Sequence, residues 1–270
     1  MDRQDTDAGL KANRIVICNV SDKVRVVVEQ LRHAPGRRPL HISLIVQDDK
    51  LWQQHPGWHP PARSNGVIVE TFSGCPTDAA LLRRAGIEQA YAAVILADPK
   101  QGTLADARST LVGVAIERAA PGVHTVMELM LSTNRSHLRA TAVDEVICLG
   151  EVAEKIIALS CISPGISRLF SHMLTAAGST QQLFLPALPP ALVGYSFRRI
   201  ARRAIHRGAP FIACGFIANA AGTERTKTAI VLNPRSGQEP GKDTQLKEGD
   251  QLIVLAGVEP DLCTLTNSEE

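Results

Sequence analysis

The sequence has few aromatic residues, almost no excess of charge of one sign and no long apolar run. Aromatic residues make up 4% of 270 residues, and 29 Lys and Arg stand against 27 Asp and Glu. A surface that stacks single-stranded bases needs aromatic side chains, and a dedicated nucleic-acid binder needs a strongly basic face. No apolar run approaches the roughly 18 residues of a membrane-spanning helix, and the first residues do not resemble a signal peptide. We therefore expect a soluble cytoplasmic protein without a nucleic-acid partner.

The six cysteines contain no C-x-x-C pair. A disulfide framework and a zinc site built on such pairs are therefore not expected, and the thiols are predicted to be reduced. His55 and His59 have the spacing of metal ligands, but they lie in a Pro/Gly segment with no cysteine nearby. This setting favours a plain loop over a metal site.

The first 150 residues alternate between short apolar segments and helical patterns. The apolar segments are residues 14–18, 41–46, 67–71, 92–97, 123–128 and 145–149. Nearly continuous apolar strands that alternate with helices predict a parallel sheet covered on both faces. Right-handed crossovers then give a doubly wound, Rossmann-like α/β domain over residues 13–150. The first helix is predicted despite four valines between positions 24 and 28, which are poor helix formers.

The pattern changes after residue 150. Residues 152–161 are apolar nearly all round, so a helix there needs cover on more than one side. A neighbouring subunit or an internal core would each supply that cover. Ser163-Pro-Gly165 breaks the pattern, and residues 166–174 resume it, which predicts a helix–turn–helix crossover over residues 151–178. Residues 179–258 then predict a small α+β domain whose helix, 197–207, carries five arginines on one face. That face is either solvated or contacts anionic lipid or phosphate.

Ligands of a doubly wound sheet bind at the carboxyl ends of its strands. After the first strand, Asn19, Ser21 and Val24 stand where the dinucleotide fingerprint requires glycine. Asp22 adds a negative charge where a phosphate would lie. Asn19 is able to adopt a left-handed turn, but a pyrophosphate bound in the usual way is disfavoured.

Other residues at strand ends complete the predicted cofactor-binding set. Asp48 follows the second strand, where an acid can hold a ribose. Gly74 and Cys75 precede a helix N-terminus, where a thiolate is favoured. Cys75 is therefore either a redox or metal-binding residue or a plain small polar one. The full predicted set is Asn19, Ser21, Asp22, Asp48, Gly74 and Cys75.

Three acidic residues predict a cation site. Asp98 ends the fourth strand, Glu128 ends the fifth, and Asp106 opens the helix between them. If these strands are neighbours, the carboxylates converge at one edge of the cleft, and such hard oxygen ligands suit Ca²⁺ or another cation. Acids at strand ends also cap helices or contact solvent, so both interpretations stay open. No Ser-His-Asp or Cys-His set is recognisable, and an enzyme is not expected.

The order of these segments resembles the RCK domain (regulator of potassium conductance, TrkA-N plus TrkA-C) of prokaryotic potassium channels and transporters. The similarity extends over residues 13–257. It is carried by residues 14–18 (RIVIC), 74–78 (GCPTD), 81–88, 93–98, 105–108, 123–128, 137–139 and 144–147, by the break at 163–167 (SPGIS), and by 192–197 (LVGYSF) and 247–254 (KEGDQLIV).

This resemblance implies a cytosolic gating-ring subunit that dimerises through helices 151–176, assembles into a larger ring and acts on a membrane-embedded potassium pore. Members of the family sense Ca²⁺, other cations or nucleotides, and the missing glycines make a nucleotide the less expected ligand here. Two alternatives remain: an NAD(P)-binding oxidoreductase with a Rossmann fold, and a ligand-free scaffold of the ring.

Overall fold

The computed structural model describes residues 13–34, 39–141, 143–176, 181–218, 229–237 and 239–266. The chain divides into two compact units between Ser167 and Arg168. This division falls inside the segment 151–178 that the sequence sets apart as a crossover. The three-part organisation of the chain therefore stays a prediction.

The first unit is built on a seven-stranded sheet. Its strands are β1 (Arg14–Cys18), β2 (Leu40–Val46), β3 (Arg63–Ser64), β4 (Val67–Ser73), β5 (Ala92–Ile95), β6 (His124–Leu129) and β7 (Glu145–Cys148). Their order is β3-β4-β2-β1-β5-β6-β7. Every pair is parallel except the two-residue edge strand β3, which pairs with β4 in the antiparallel sense. The order reverses between β2 and β5, on either side of β1.

Helices cover both faces of this sheet, as its apolar strands predict. They are α1 (Val24–His33), α2 (Asp49–Gln54), α3 (Ala79–Arg84) and α4 (Ala105–Ala119). Alternate residues of β1 point to opposite faces. Ile17 packs in one buried cluster with Val24 and Val28 of α1. Val16 packs in another with Ile116 of α4.

The second unit holds a four-stranded antiparallel sheet and one long helix. Its elements are β8 (Gln182–Phe184), α7 (Phe197–His206), β9 (Phe211–Ala218), β10 (Ala229–Leu232) and β11 (Gln251–Ala256), with the strand order β10-β9-β11-β8. Ile200 of α7 is fully buried and packs with Phe216 and Leu252 of the sheet. The predicted fold class, a Rossmann-like sheet followed by a small α+β domain, is confirmed.

Two helices follow the first sheet and precede the second along the chain, and none of their residues is buried. They are α5 (Leu149–Ile162) and α6 (Ile166–Leu174). Ile157 is 65% exposed and Ile162 is 80% exposed. The alternative that residues 152–161 form an internal core helix is therefore wrong, because the fold leaves their apolar surface uncovered. Within the residues that the structure describes, no helix is both long and apolar enough to cross a bilayer.

Candidate functional site

A cavity of about 780 Å³ opens at the carboxyl ends of β1, β2 and β5. These are the strands where the strand order reverses, the usual place for a ligand in a doubly wound sheet. The polar residues that line the cavity, called here the cleft, are Asn19, Gln47, Asp48, Asp49, Lys50, Gln101, Arg108 and Asp98. Trp52 and Trp58 form an aromatic part of its wall.

Three of the predicted site residues line the cleft. Asn19 follows β1 with a φ of 58°, so it adopts the left-handed conformation expected of it. Asp48 follows β2 and Asp98 follows β5. The side-chain amide of Gln101 donates a hydrogen bond of 3.0 Å to a carboxylate oxygen of Asp98. The fold therefore brings together residues from three strand ends. Their role in binding stays a prediction.

The residues after Asn19 take structural positions. Ser21 is buried, its carbonyl accepts a hydrogen bond from the Val24 amide, and its hydroxyl has no partner among the described residues. Asp22 is exposed. Val24 is fully buried and packs with Ile17 and Val28, so it holds α1 against the sheet at the position of the third fingerprint glycine. A cofactor role for Ser21 and Asp22 stays a prediction.

Gly74 and Cys75 lie at the end of β4 and do not line the cleft. Gly74 has a φ of +144°, and a Cβ there would lie 2.9 Å from Leu81 Cδ2. Cys75 is exposed, and its Sγ lies 3.0 Å from Thr77 Oγ1. Glycine is thus required by backbone conformation and packing, while a cofactor role for the pair stays a prediction.

Glu128 is the penultimate residue of β6, and its carboxylate already has two partners. Oε1 lies 2.6 Å from Lys23 Nζ, and Oε2 accepts a hydrogen bond of 2.9 Å from the Ala97 amide. Lys23 comes from the turn after β1 and Ala97 from the end of β5. Because β5 lies between β1 and β6, this carboxylate ties together the ends of three strands.

Asp106 lies in the first turn of α4 and is also fully engaged. Its carboxylate accepts hydrogen bonds from the amides of Met130 (2.8 Å) and Leu131 (3.1 Å), and from the side-chain amide of Asn134 (2.7 Å). It thereby fixes the loop after β6. Among the described residues no group of three His, Cys, Asp or Glu side chains is placed to hold a metal. A cation site on Asp98, Asp106 and Glu128 stays a prediction, and the contacts give two of these residues structural roles.

Sequence reasoning missed several residues of the cleft and its surroundings. Trp52 stacks on His59 with ring centroids 4.2 Å apart, and Trp58 stacks on His55 at 4.3 Å. The paired His and Trp residues explain the spacing that resembled a metal site. A signal was available, because the only two tryptophans of the chain follow the second strand within twelve positions. Nothing in the sequence marks Lys23 as the partner of Glu128.

The side chains that line the cleft include several hard oxygen donors. Three carboxylates, those of Asp48, Asp49 and Asp98, face two cations, Lys50 and Arg108. The nearby Cys18 at the end of β1 is buried, and burial raises the pKa of its thiol to about 12. It is therefore protonated at neutral pH and supplies neither a nucleophile nor a soft metal ligand.

The curated proteins to which this chain is similar include ion channels. No family model matches the chain. It is 24% identical over 252 residues to the probable ion channel POLLUX of Arabidopsis thaliana. This match covers 92% of this chain and 28% of that protein. It is 26% identical over 155 residues to the calcium-activated potassium channel slo-1 of Caenorhabditis elegans, which covers 48% of this chain and 14% of the channel. The chain thus spans less than a third of the length of either curated relative.

One solved structure establishes the fold independently. The human SLO3 gating ring superposes with a TM-score of 0.62 at 17% identity, covering 91% of this chain and 44% of that one. The chain therefore shares the fold of this gating ring, and the fold expected from the RCK resemblance is confirmed.

Proposed function

We propose that this chain is a ligand-sensing gating-ring subunit that regulates potassium conduction through a membrane pore. The observation that carries this proposal is the cleft, which lies where the strand order reverses in a chain with a gating-ring fold. A ligand shifts the pore toward its open state only to the extent that it binds the open ring more tightly than the closed one.

The ligand we propose for the cleft is a hard cation, with Ca²⁺ the first to test. Ca²⁺ takes six to eight oxygen ligands from carboxylates, amide or backbone carbonyls and water. The carboxylates of Asp48 and Asp98 and the amide oxygens of Asn19 and Gln101 are donors of this kind. The name of the slo-1 relative, a calcium-activated channel, points the same way.

A nucleotide is the second candidate ligand, because Trp52 and Trp58 line the cleft and an aromatic wall can stack a base. The turn after β1 opposes it. That turn has Asn19, Ser21 and Val24 in place of the fingerprint glycines, and Asp22 adds a negative charge beside it. The cation therefore ranks first.

The subunit is proposed to form a homodimer through α5 and α6 and to assemble further into a ring. The exposed apolar residues of these helices are Leu149, Val152, Ile157, Leu159, Ile162, Leu169 and Leu174. An apolar surface of this extent is typical of a protein interface. A second copy presents the same apolar residues, so the two copies can cover each other's apolar side chains.

Ligand binding is tested by thermal unfolding of the chain with Ca²⁺, Na⁺, ADP, ATP and NAD(H). A ligand at about 100 Kd adds roughly 2.7 kcal/mol of stability. We expect Ca²⁺ to raise the Tm, and the double variant Asp48→Asn, Asp98→Asn to lose most of that shift. Glu259→Gln, which neutralises an exposed acid of the second unit, is the control and should keep it.

Each alternative to the cation-sensing proposal predicts a different result. An NAD(H)-induced shift accompanied by hydride transfer supports the oxidoreductase. The absence of a shift with every ligand supports the scaffold. A Ca²⁺ shift that survives in the double variant refutes the cleft as the sensing site.

Assembly is tested by light scattering across a dilution series. Ile157→Glu introduces a charge into the proposed interface and should shift the chain toward monomer. Val26→Glu on α1 is the matched control, because Val26 is 63% exposed and Ile157 is 65% exposed. A chain that remains a monomer when concentrated contradicts the proposed dimer.

A further inference from the structure

A row of basic side chains runs along the outer face of α7 in the second unit. Arg199, Arg202, Arg203 and His206 recur at helical spacing, opposite the face that packs on the sheet. We call these four residues the arginine stripe. Together with Ser196, Arg198 and Arg207 they line a surface depression of about 570 Å³. The described walls of this depression contain no acidic residue.

The stripe is costly to the helix that carries it. Arg198 and Arg202, Arg199 and Arg203, and Arg203 and Arg207 are like charges four positions apart, each pair destabilising by a few tenths of a kcal/mol. Arginines in the first turn are also repelled by the positive end of the helix dipole. The cap that Ser196 provides to the Arg199 amide offsets part of this. An arrangement that works against its own helix indicates a role outside folding.

The flanking arginines are held in place. Arg198 Nη2 lies 2.7 Å from both Ser236 Oγ and Asp243 Oδ2. The guanidinium of Arg199 stacks 3.8 Å above the Tyr195 ring. Arg202 and Arg203 at the centre form no ion pair with any described residue. Fixed cations at the edge and unpaired ones in the middle leave unbalanced positive charge at the centre of the depression.

We propose that this depression binds a multiply charged phosphate group. The planar guanidinium donates paired N–H groups whose spacing matches phosphate oxygens, which a lysine cannot reproduce. Phosphate oxygens would also neutralise the repulsion within the stripe. The phosphate comes either from a free polyphosphate or from the headgroups of anionic lipid. This site lies in the second unit and does not depend on the cleft or its ligand.

The test uses the whole chain and two phosphate probes. Sodium tripolyphosphate is titrated by calorimetry. Vesicles of phosphatidylcholine with phosphatidic acid, whose headgroup is a phosphomonoester with up to two negative charges, are pelleted against vesicles of phosphatidylcholine alone. The double variant Arg202→Gln, Arg203→Gln should lose at least about tenfold in affinity. It should fold with an unchanged or higher Tm because it removes like-charge repulsion. Arg84→Gln with Arg118→Gln, two exposed arginines of the first unit, is the control for net charge.

The probes distinguish the two sources of phosphate. Binding of tripolyphosphate without pelleting indicates a free polyphosphate. Pelleting with the anionic vesicles that is abolished by added tripolyphosphate indicates lipid headgroups. Either result supports the site if added salt weakens the binding. If neither probe binds, or if the stripe variant binds as well as the control variant, the proposal is wrong.

Discussion

Replacing Asp106 by asparagine separates a structural carboxylate from a metal ligand. Asp106 is 4% exposed and accepts three hydrogen bonds, from the amides of Met130 and Leu131 and from the side chain of Asn134. An asparagine has one acceptor oxygen and a donating NH₂ group. If its oxygen keeps the bonds to Leu131 and Asn134, its NH₂ faces the Met130 amide, and two donors confront each other.

The expected cost of Asp106→Asn follows from this geometry. Losing one hydrogen bond to a buried charge and leaving a backbone donor unsatisfied costs about 3 kcal/mol. A loss of this size lowers the Tm by roughly 6–12 °C for a domain of this size. The measurement is thermal unfolding followed by circular dichroism, with and without Ca²⁺.

Asp22→Asn is the matched control, because the same chemical change at an exposed position should stay within about 0.5 kcal/mol of the parent. Equal stability of the two variants would refute the structural role of Asp106. So would a loss at Asp106 that appears only when Ca²⁺ is present, because that pattern belongs to a metal ligand.

Two further predictions concern Glu128, a second carboxylate of the predicted cation set, and the apolar helices. Glu128→Gln should lower the free energy of unfolding by about 2 kcal/mol, because the ion pair with the partly exposed Lys23 is lost. The amide oxygen of the glutamine still accepts the hydrogen bond from the Ala97 amide. Chemical denaturation measures this loss, and an unchanged midpoint contradicts the structural role of Glu128. Cys161 on α5 is exposed in the single chain, so a maleimide should label it at high dilution and lose access as the dimer forms. Exposed Cys75 is the internal reference, and equal labelling of both thiols at all concentrations argues against α5 as the interface.

The fold was largely predictable because its signals are local. Apolar strands that alternate with helices predict a parallel sheet, and each of the six predicted strands is present. The valines at the start of α1 are poor helix formers, yet Val24 and Val28 are buried against the sheet, and this burial outweighs propensity. Strand β3 escaped prediction because two residues carry no periodicity.

The site was less predictable because it depends on which strands are neighbours. Asn19, Asp48 and Asp98 were placed correctly at strand ends, since the carboxyl ends of parallel strands share one edge. The partner of Glu128 was not visible, because Lys23 reaches it across β5, and only the strand order brings the two together. A carboxylate at a strand end therefore has the same signature in sequence whether it binds a ligand or a neighbouring amide.

The strand order divides the acids of this edge into two groups with different chemistry. Toward β6, Glu128 and Asp106 are surrounded by protein donors, so adding a cation there would require breaking the bonds that hold the ends of β1, β5 and β6. At the reversal on either side of β1, Asp48 and Asp98 line a cleft. A ligand in this cleft contacts segments that follow β1, β2 and β5 together, so its binding free energy can change their relative positions. Ligand sensing is therefore expected at the reversal, and substitutions near β6 should alter stability without altering ligand selectivity.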